Sequence, residues 1–91
     1  MTAVARPTIV EAVIFGKTVR RLREQLGLSQ QKVAETANLS LNFVSDIERG
    51  VKSVTLATIL KLAYALDCPP SELLADFSSA SIRRVLRGTP G

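Results

Sequence analysis

Asn42 and the residues around it, Ser40, Leu41, Ser45 and Asp46, have the types and the spacing to read the edge of a DNA base pair. On a helix that spacing puts all five on one side. An Asn amide donates and accepts at once, so Asn42 suits the N6 and N7 atoms of adenine, a pairing worth about 1–3 kcal/mol of discrimination. Leu41 offers only apolar contact, which fits a thymine methyl. Ser40 and Ser45 can bond bases or phosphates. Asp46 can accept from the N4 amine of cytosine; the plain alternative is a solvated or Arg-paired charge. Arg49 and Lys52 follow as cations for the phosphate backbone, and Lys17 is placed to reach its flank. Arg20 and Arg21 are read either as further phosphate contacts or as solvated helix charges. Gln30 opens a helix, where backbone N–H groups and the macrodipole favour anions.

Other chemistries find little material. The 91 residues contain no His and one Cys, Cys68, which is too few ligands for a zinc site and leaves no intrachain disulfide. Cys68 reads as a small apolar residue, and its lack of a partner fits a reducing cytoplasm. There is no Gly-rich phosphate loop, and the carboxylates are scattered. The expectation is therefore a protein that is not an enzyme and needs no cofactor or metal.

The elements that must position these residues are legible from spacing. In residues 30–49, Val33, Ala34 and Ala37 share one helical face, and Val44 and Ile47 line the inner face of a second helix. Ala34 falls where two crossed helices touch. Asn38 suits the left-handed turn between them, Leu39 plugs that turn, and Ser40 caps the second helix. Together these features predict a helix-turn-helix. Ahead of it, Phe15, Val19, Leu22 and Leu26 form one apolar stripe. The first helix is expected to start after Thr8, whose spacing to Glu11 is that of a capping box, or slightly later near Glu11 or Ala12, and to end at Gly27. Ser29 caps the second helix, and Gly50 stops the third.

After a loop over residues 51–54, Thr55 caps a fourth helix to about Leu66. Its apolar residues cover most of the circumference, which predicts the most buried helix of the set. A fifth runs from Pro70 to about Asp76, with Leu73 and Leu74 facing inward. Residues 78–81 read as a linker or cap, and residues 82–87 as one amphipathic turn. The fold class is thus all-α, a compact five-helix DNA-binding domain with room for a short sixth C-terminal turn. Residues 1–8 form an arm, 9–76 the folded domain, and 77–91 a basic tail with a possible dimer contact.

An apolar share of 46% is ample for a core. The longest apolar run, residues 56–66, is interrupted by Lys61 and too short to span a bilayer, and no signal peptide is evident. The formal charge of +4 is unevenly distributed. Residues 77–91 hold Arg83, Arg84 and Arg87 and no acid, while residues 1–76 carry nine Lys or Arg against eight Asp or Glu. Individual placement, rather than bulk charge, has to carry any argument for nucleic acid.

The segments Arg23 with Gly27-Leu28-Ser29-Gln30, then Val33-Ala34, Asn38-Leu39-Ser40, Ile47-Glu48-Arg49-Gly50 and the run over residues 55–66 resemble the Cro/C1-type (lambda-repressor-like, XRE) helix-turn-helix family. The short form looks most like the controller proteins of restriction–modification systems. The chain departs from that pattern at Asp67, where the family often has Gly, and at Leu41, where controllers tend to be basic. The resemblance implies base contacts at Ser40, Leu41, Asn42, Ser45 and Asp46, and a phosphate contact by Gln30 that also braces the recognition helix. It implies that the Phe43 ring lies along sugars or methyl groups, beside the plainer reading of Phe43 as packing. It also implies that Arg23 and Glu48 pair across helices one and three.

A two-fold dimer would place two recognition helices about 34 Å apart on a pseudo-palindrome. Its interface is expected from the spare apolar residues Leu60, Tyr64, Leu74, Phe77 and Ile82, with Val85 and Leu86 beside them; core packing is an equal reading for Leu60. The function implied is a cytoplasmic, homodimeric transcription regulator on double-stranded DNA that blocks or recruits RNA polymerase, with Glu35 as one polymerase-facing candidate. An antitoxin or a phage repressor whose main work is binding a partner protein is the alternative.

Overall fold

The computed structural model describes residues 9–88, which form six helices. These are α1 (Val10–Gln25), α2 (Gln30–Ala37), α3 (Leu41–Glu48), α4 (Leu56–Ala65), α5 (Pro70–Leu73) and α6 (Ser79–Gly88). Local chemistry sets most of the boundaries. The side chains of Ser29, Ser40 and Thr55 accept the backbone N–H groups of Lys32, Phe43 and Thr58, satisfying donors that a helix start leaves unpaired. Gly27 ends the first helix at φ +70°, and Asn38 makes the turn between α2 and α3 at φ 57°. Asp67 takes φ 52° after α4, a left-handed conformation for which Gly would be the unstrained choice.

α1 crosses α3, α2 lies between α3 and α4, and α5 and α6 return to α1. Phe15, Val19 and Leu22 of α1 meet Val33 and Ala34 of α2, Val44 and Ile47 of α3, Leu62, Ala63 and Leu66 of the fourth helix and its cap, and Leu73 of α5. Burying each of the larger aliphatic chains contributes about 1.5–3 kcal/mol. Gly16 permits the closest approach: a Cβ there would collide with the backbone carbonyl of Ile47 and lie 3.1 Å from that of Glu48.

Four expectations are corrected. The capping residue of α1 is Ile9, in extended conformation without a side-chain cap; Thr8 and the arm lie outside the described residues. α4 is not the most buried helix, since it buries Thr58, Leu62 and Ala63 but leaves Leu56, Leu60 and Tyr64 exposed, a stripe at four-residue spacing. α5 is a single turn. Leu74 and Ala75 already donate to carbonyls three residues back, and Leu74 is exposed instead of facing inward. Finally, α6 runs for ten residues rather than one turn. Ser78 caps it by accepting from the Ser81 N–H, and the Asp76 carboxylate, hydrogen-bonded to Thr18 at 2.8 Å and 3.6 Å from Arg21, ties its approach to α1.

Candidate nucleic-acid interface

α3 is only eight residues long, too short to be stable alone in water, so its orientation must come from its neighbours. On its inner side Val44 and Ile47 are fully buried. At its C-terminal end Glu48 accepts from Arg23 Nε at 2.6 Å, Arg23 Nη2 at 3.0 Å and Gln30 Nε2 at 2.9 Å. Arg23 Nη1 also donates to the Leu28 carbonyl at 2.8 Å. One carboxylate, with its side chain 3% exposed, thereby joins α1, the start of α2 and α3. The Glu48 hydrogen bond holds the Arg23 guanidinium above its ordinary pKa, against the opposing effect of burial. Gln30 is half-buried at the head of α2, with one amide N–H directed at Glu48 and the helix's N-terminal backbone beside it.

What remains outward is the surface that could enter a groove. Ser40, Leu41 and Asn42 are exposed in sequence at the N-terminal end of α3, and Ser45 and Asp46 are half-exposed one turn on. The Ser40 hydroxyl oxygen is already engaged as the cap, which leaves its hydrogen free to donate. Phe43 is half-buried and packs against the core edge, so only part of its ring faces outward. Arg49 caps the C-terminal end of α3, and its Nη2 donates to Asp46 Oδ1. Lys52, in the loop beyond, and Lys17 on α1 are exposed and carry no ion pair among the described residues. Arg20 pairs with Glu24, and Arg21 lies near Asp76.

The residues named for self-association lie on α4, after α5 and on α6. Leu60, Tyr64, Leu74 and Ile82 are exposed, Tyr64 most of all at 76%. Phe77 is half-buried; with Leu74, Phe15, Val54 and Ile59 it lines an open cleft of about 230 Å³ whose rim carries Lys52 and Glu11. Cys68 is half-buried, and burial, followed by the nearby Glu72 and Asp67 charges, pushes its thiol pKa up, so it is a poor nucleophile. No group of three or more potential metal ligands exists among the described residues, and none of their helices is long and apolar enough to cross a membrane. One feature of the site was not found from the sequence. Gly16 sits within an ordinary amphipathic pattern, and nothing in its spacing marks the contact with α3. For Asp46 the sequence left a base contact and a solvated or Arg-paired charge open, and in the structure it pairs with Arg49.

Two short crossed helices, a left-handed turn and an outward, mostly polar row on the second helix define a helix-turn-helix domain. A helix-turn-helix family model matches residues 19–73. The control protein C.BamHI of Bacillus amyloliquefaciens is 40% identical over 68 residues, which is 74% of this chain and 83% of that protein. The crystal structure of the restriction–modification controller protein C.AhdI from Aeromonas hydrophila superimposes with a TM-score of 0.68 at 46% identity, covering 69% of this chain and 96% of that one. The regulator SutR of Escherichia coli strain K12 is 36% identical over 70 residues, although these span only 39% of its length. The chain belongs to this helix-turn-helix family of DNA-binding transcription regulators.

Proposed function

We propose that the protein is a homodimeric regulator of the restriction–modification controller type that binds a pseudo-palindromic operator through α3. The observation that carries this reading is the contrast within α3. Its inner residues Val44 and Ile47 are sealed in the core, while Ser40, Leu41 and Asn42 stand exposed at the end that meets base edges. Similarity to C.BamHI and C.AhdI over nearly the whole length of the latter supports the controller assignment.

In this reading Asn42 reads adenine, Leu41 contacts a thymine methyl, and Ser40 and Ser45 donate to bases or phosphate oxygens. Gln30, Lys52, Lys17 and Arg49 set the register on the phosphates, with the exposed part of Phe43 against the sugars. Arg23 and Glu48 hold the angle of α3. Leu60, Tyr64, Leu74, Phe77 and Ile82 supply the interface that spaces two recognition helices one DNA turn apart. Residues 9–76 are the DNA-binding unit, flanked by the arm and a basic tail. The dimer works in the cytoplasm, by occlusion or recruitment of RNA polymerase at the operator.

Selection of binding sites from random duplexes tests the reading. A two-fold symmetric sequence is expected, and Asn42→Ala should relax the preference at one base position per half-site. Lys52→Ala should weaken every sequence alike and reduce the salt slope by about one. Equal loss on all sequences for Asn42→Ala would remove Asn42 as a base reader.

A further inference from the structure

Asp46 and Arg49 form the one ion pair, among the described residues, that lies wholly on the outward side of α3. Asp46 is one turn beyond Asn42 and lies on the same side of the helix. Arg49 caps the C-terminal end of the helix and folds back to donate to Asp46 Oδ1. The acid is half-exposed, with 23% of its side chain accessible, while the Arg49 side chain is 63% exposed. The guanidinium thus lies at the surface with most of its five donors unspent, yet its charge is matched by a neighbour on the same helix.

We propose that this pair is exchangeable and sets the discrimination between operator and other DNA, with Asp46 acting as a specificity-determining residue through Arg49. The proposal rests on the DNA-binding reading and assigns a mechanism to one part of it. A surface i,i+3 pair is worth little by itself, about 0.3–0.5 kcal/mol, so opening it is easy. Leaving the carboxylate bare against phosphates is not easy, because like charges repel across a low-dielectric contact. The pair therefore opens only where the groove gives Asp46 another donor, and the N4 amine of cytosine is the base-edge group of that kind. At such a site the carboxylate changes partner and Arg49 swings free to a phosphate, releasing one more counterion. On other sequences the pair stays closed and Arg49 adds nothing. Two contacts are gained together or not at all.

The test uses the full chain and its Asp46→Asn, Arg49→Ala and doubly substituted forms. Two fluorescent duplexes are titrated at several salt concentrations: the one enriched by the wild-type protein and a random-sequence duplex of equal length. Both residues are on the surface, so melting temperatures serve as the folding control. Asp46→Asn is expected to tighten binding to the random duplex about five- to tenfold and to steepen its salt slope by about one, lowering the selectivity ratio. On the enriched duplex the same change should not tighten binding, because Arg49 is already free there and the cytosine contact is weakened. Replacing the preferred cytosine by thymine should cost the wild-type protein more than the Asp46→Asn form.

In the Asp46→Asn form, removing Arg49 as well should take back the gain on the random duplex; a gain that survives in the doubly substituted form would mean simple charge repulsion and overturn the proposal. So would equal tightening on both duplexes. A defined operator with no Asp46–Arg49 coupling would sink the exchange alone and leave the regulator reading standing. Failure to enrich any sequence would sink both.

Discussion

Replacing Glu48 by Ala should destabilise the fold by about 3–5 kcal/mol. The estimate follows from what the carboxylate holds. It accepts two charge-assisted bonds from Arg23, at 2.6 and 3.0 Å, and one from Gln30 at 2.9 Å. The Arg23 side chain is 12% exposed, so removing the acid strands a guanidinium whose remaining bond, among the described residues, is to the Leu28 carbonyl. A chain of this length has a total stability on the order of 5–14 kcal/mol, so the loss is a large share of it. With a urea slope near 2 kcal/mol/M, the midpoint should fall by about 2 M, measured by helical circular dichroism. Glu48→Gln should cost less but still more than about 1 kcal/mol, since the amide N–H₂ group would face an Arg donor. The double substitution Arg23→Met, Glu48→Leu should cost less than Glu48→Ala alone, because no unpaired charge remains. The raised Arg23 pKa places the loss of its share of the pair beyond the ordinary arginine range, since a cation bound more tightly when folded stabilises until pH climbs past its unfolded value. Arg23 should therefore add no pH dependence to the Glu48→Ala cost at neutral or mildly alkaline pH. A cost below about 1 kcal/mol, or a double-substitution cost equal to the sum of the singles, would refute the account.

Three further outcomes follow from the geometry. Gly16→Ala would normally stabilise a helix by up to about 1 kcal/mol, but here its Cβ meets backbone carbonyls of α3, so a net loss of about 1–2 kcal/mol and weaker DNA binding are expected by denaturation and titration; a gain in stability would refute the close approach. Asp67→Gly relieves the left-handed backbone at φ 52° and should raise stability by about 0.5–1 kcal/mol in a urea titration, and an unchanged or lower midpoint would count against strain there. Leu60→Glu, on the half-exposed stripe of α4, should leave the monomer's melting temperature nearly unaltered while sedimentation at micromolar concentration shifts from dimer to monomer; a dimer that persists would move the interface elsewhere.

The sequence is most informative where a boundary is set by one residue's local chemistry. Ser29, Ser40 and Thr55 cap their helices, and Asn38, Gly27 and Gly50 take the left-handed conformations their types favour. The core of the helix-turn-helix is legible for the same kind of reason: Val33, Ala34, Val44 and Ile47 repeat at helical spacing and are buried. Legibility fails where the outcome depends on what lies opposite. Leu56, Leu60 and Tyr64 are apolar, and periodicity cannot tell a stripe facing the core from one left exposed. The length of α6 was hidden because residues 78–81 read equally as linker or cap; Ser78 is the cap, and Asp76 anchors the approach through Thr18. Of the candidate site, residue identities and their common face were readable. The partner chosen by Asp46 and the steric role of Gly16 were not, because each depends on rotamer or interhelical distance.

Every strong tie on α3 attaches to its inner face or its ends. Val44 and Ile47 are packed inward, Glu48 is bonded at the C-terminal end, the Ser40 cap and the Asn38 turn fix the start, and Gly16 admits α1 from behind. Leu41 and Asn42 take part in none of these ties. Substitution at either position should therefore change melting behaviour little, within about 0.5 kcal/mol, while altering the sequence that is bound. Changes at Ile47 or Glu48 should do the reverse, unfolding the domain before they redirect it. Stability and specificity should thus be separable by helix face. Asp46 is the expected exception: its partner Arg49 is itself a candidate phosphate contact, so a change there should alter both what α3 reads and how tightly it holds DNA of any sequence.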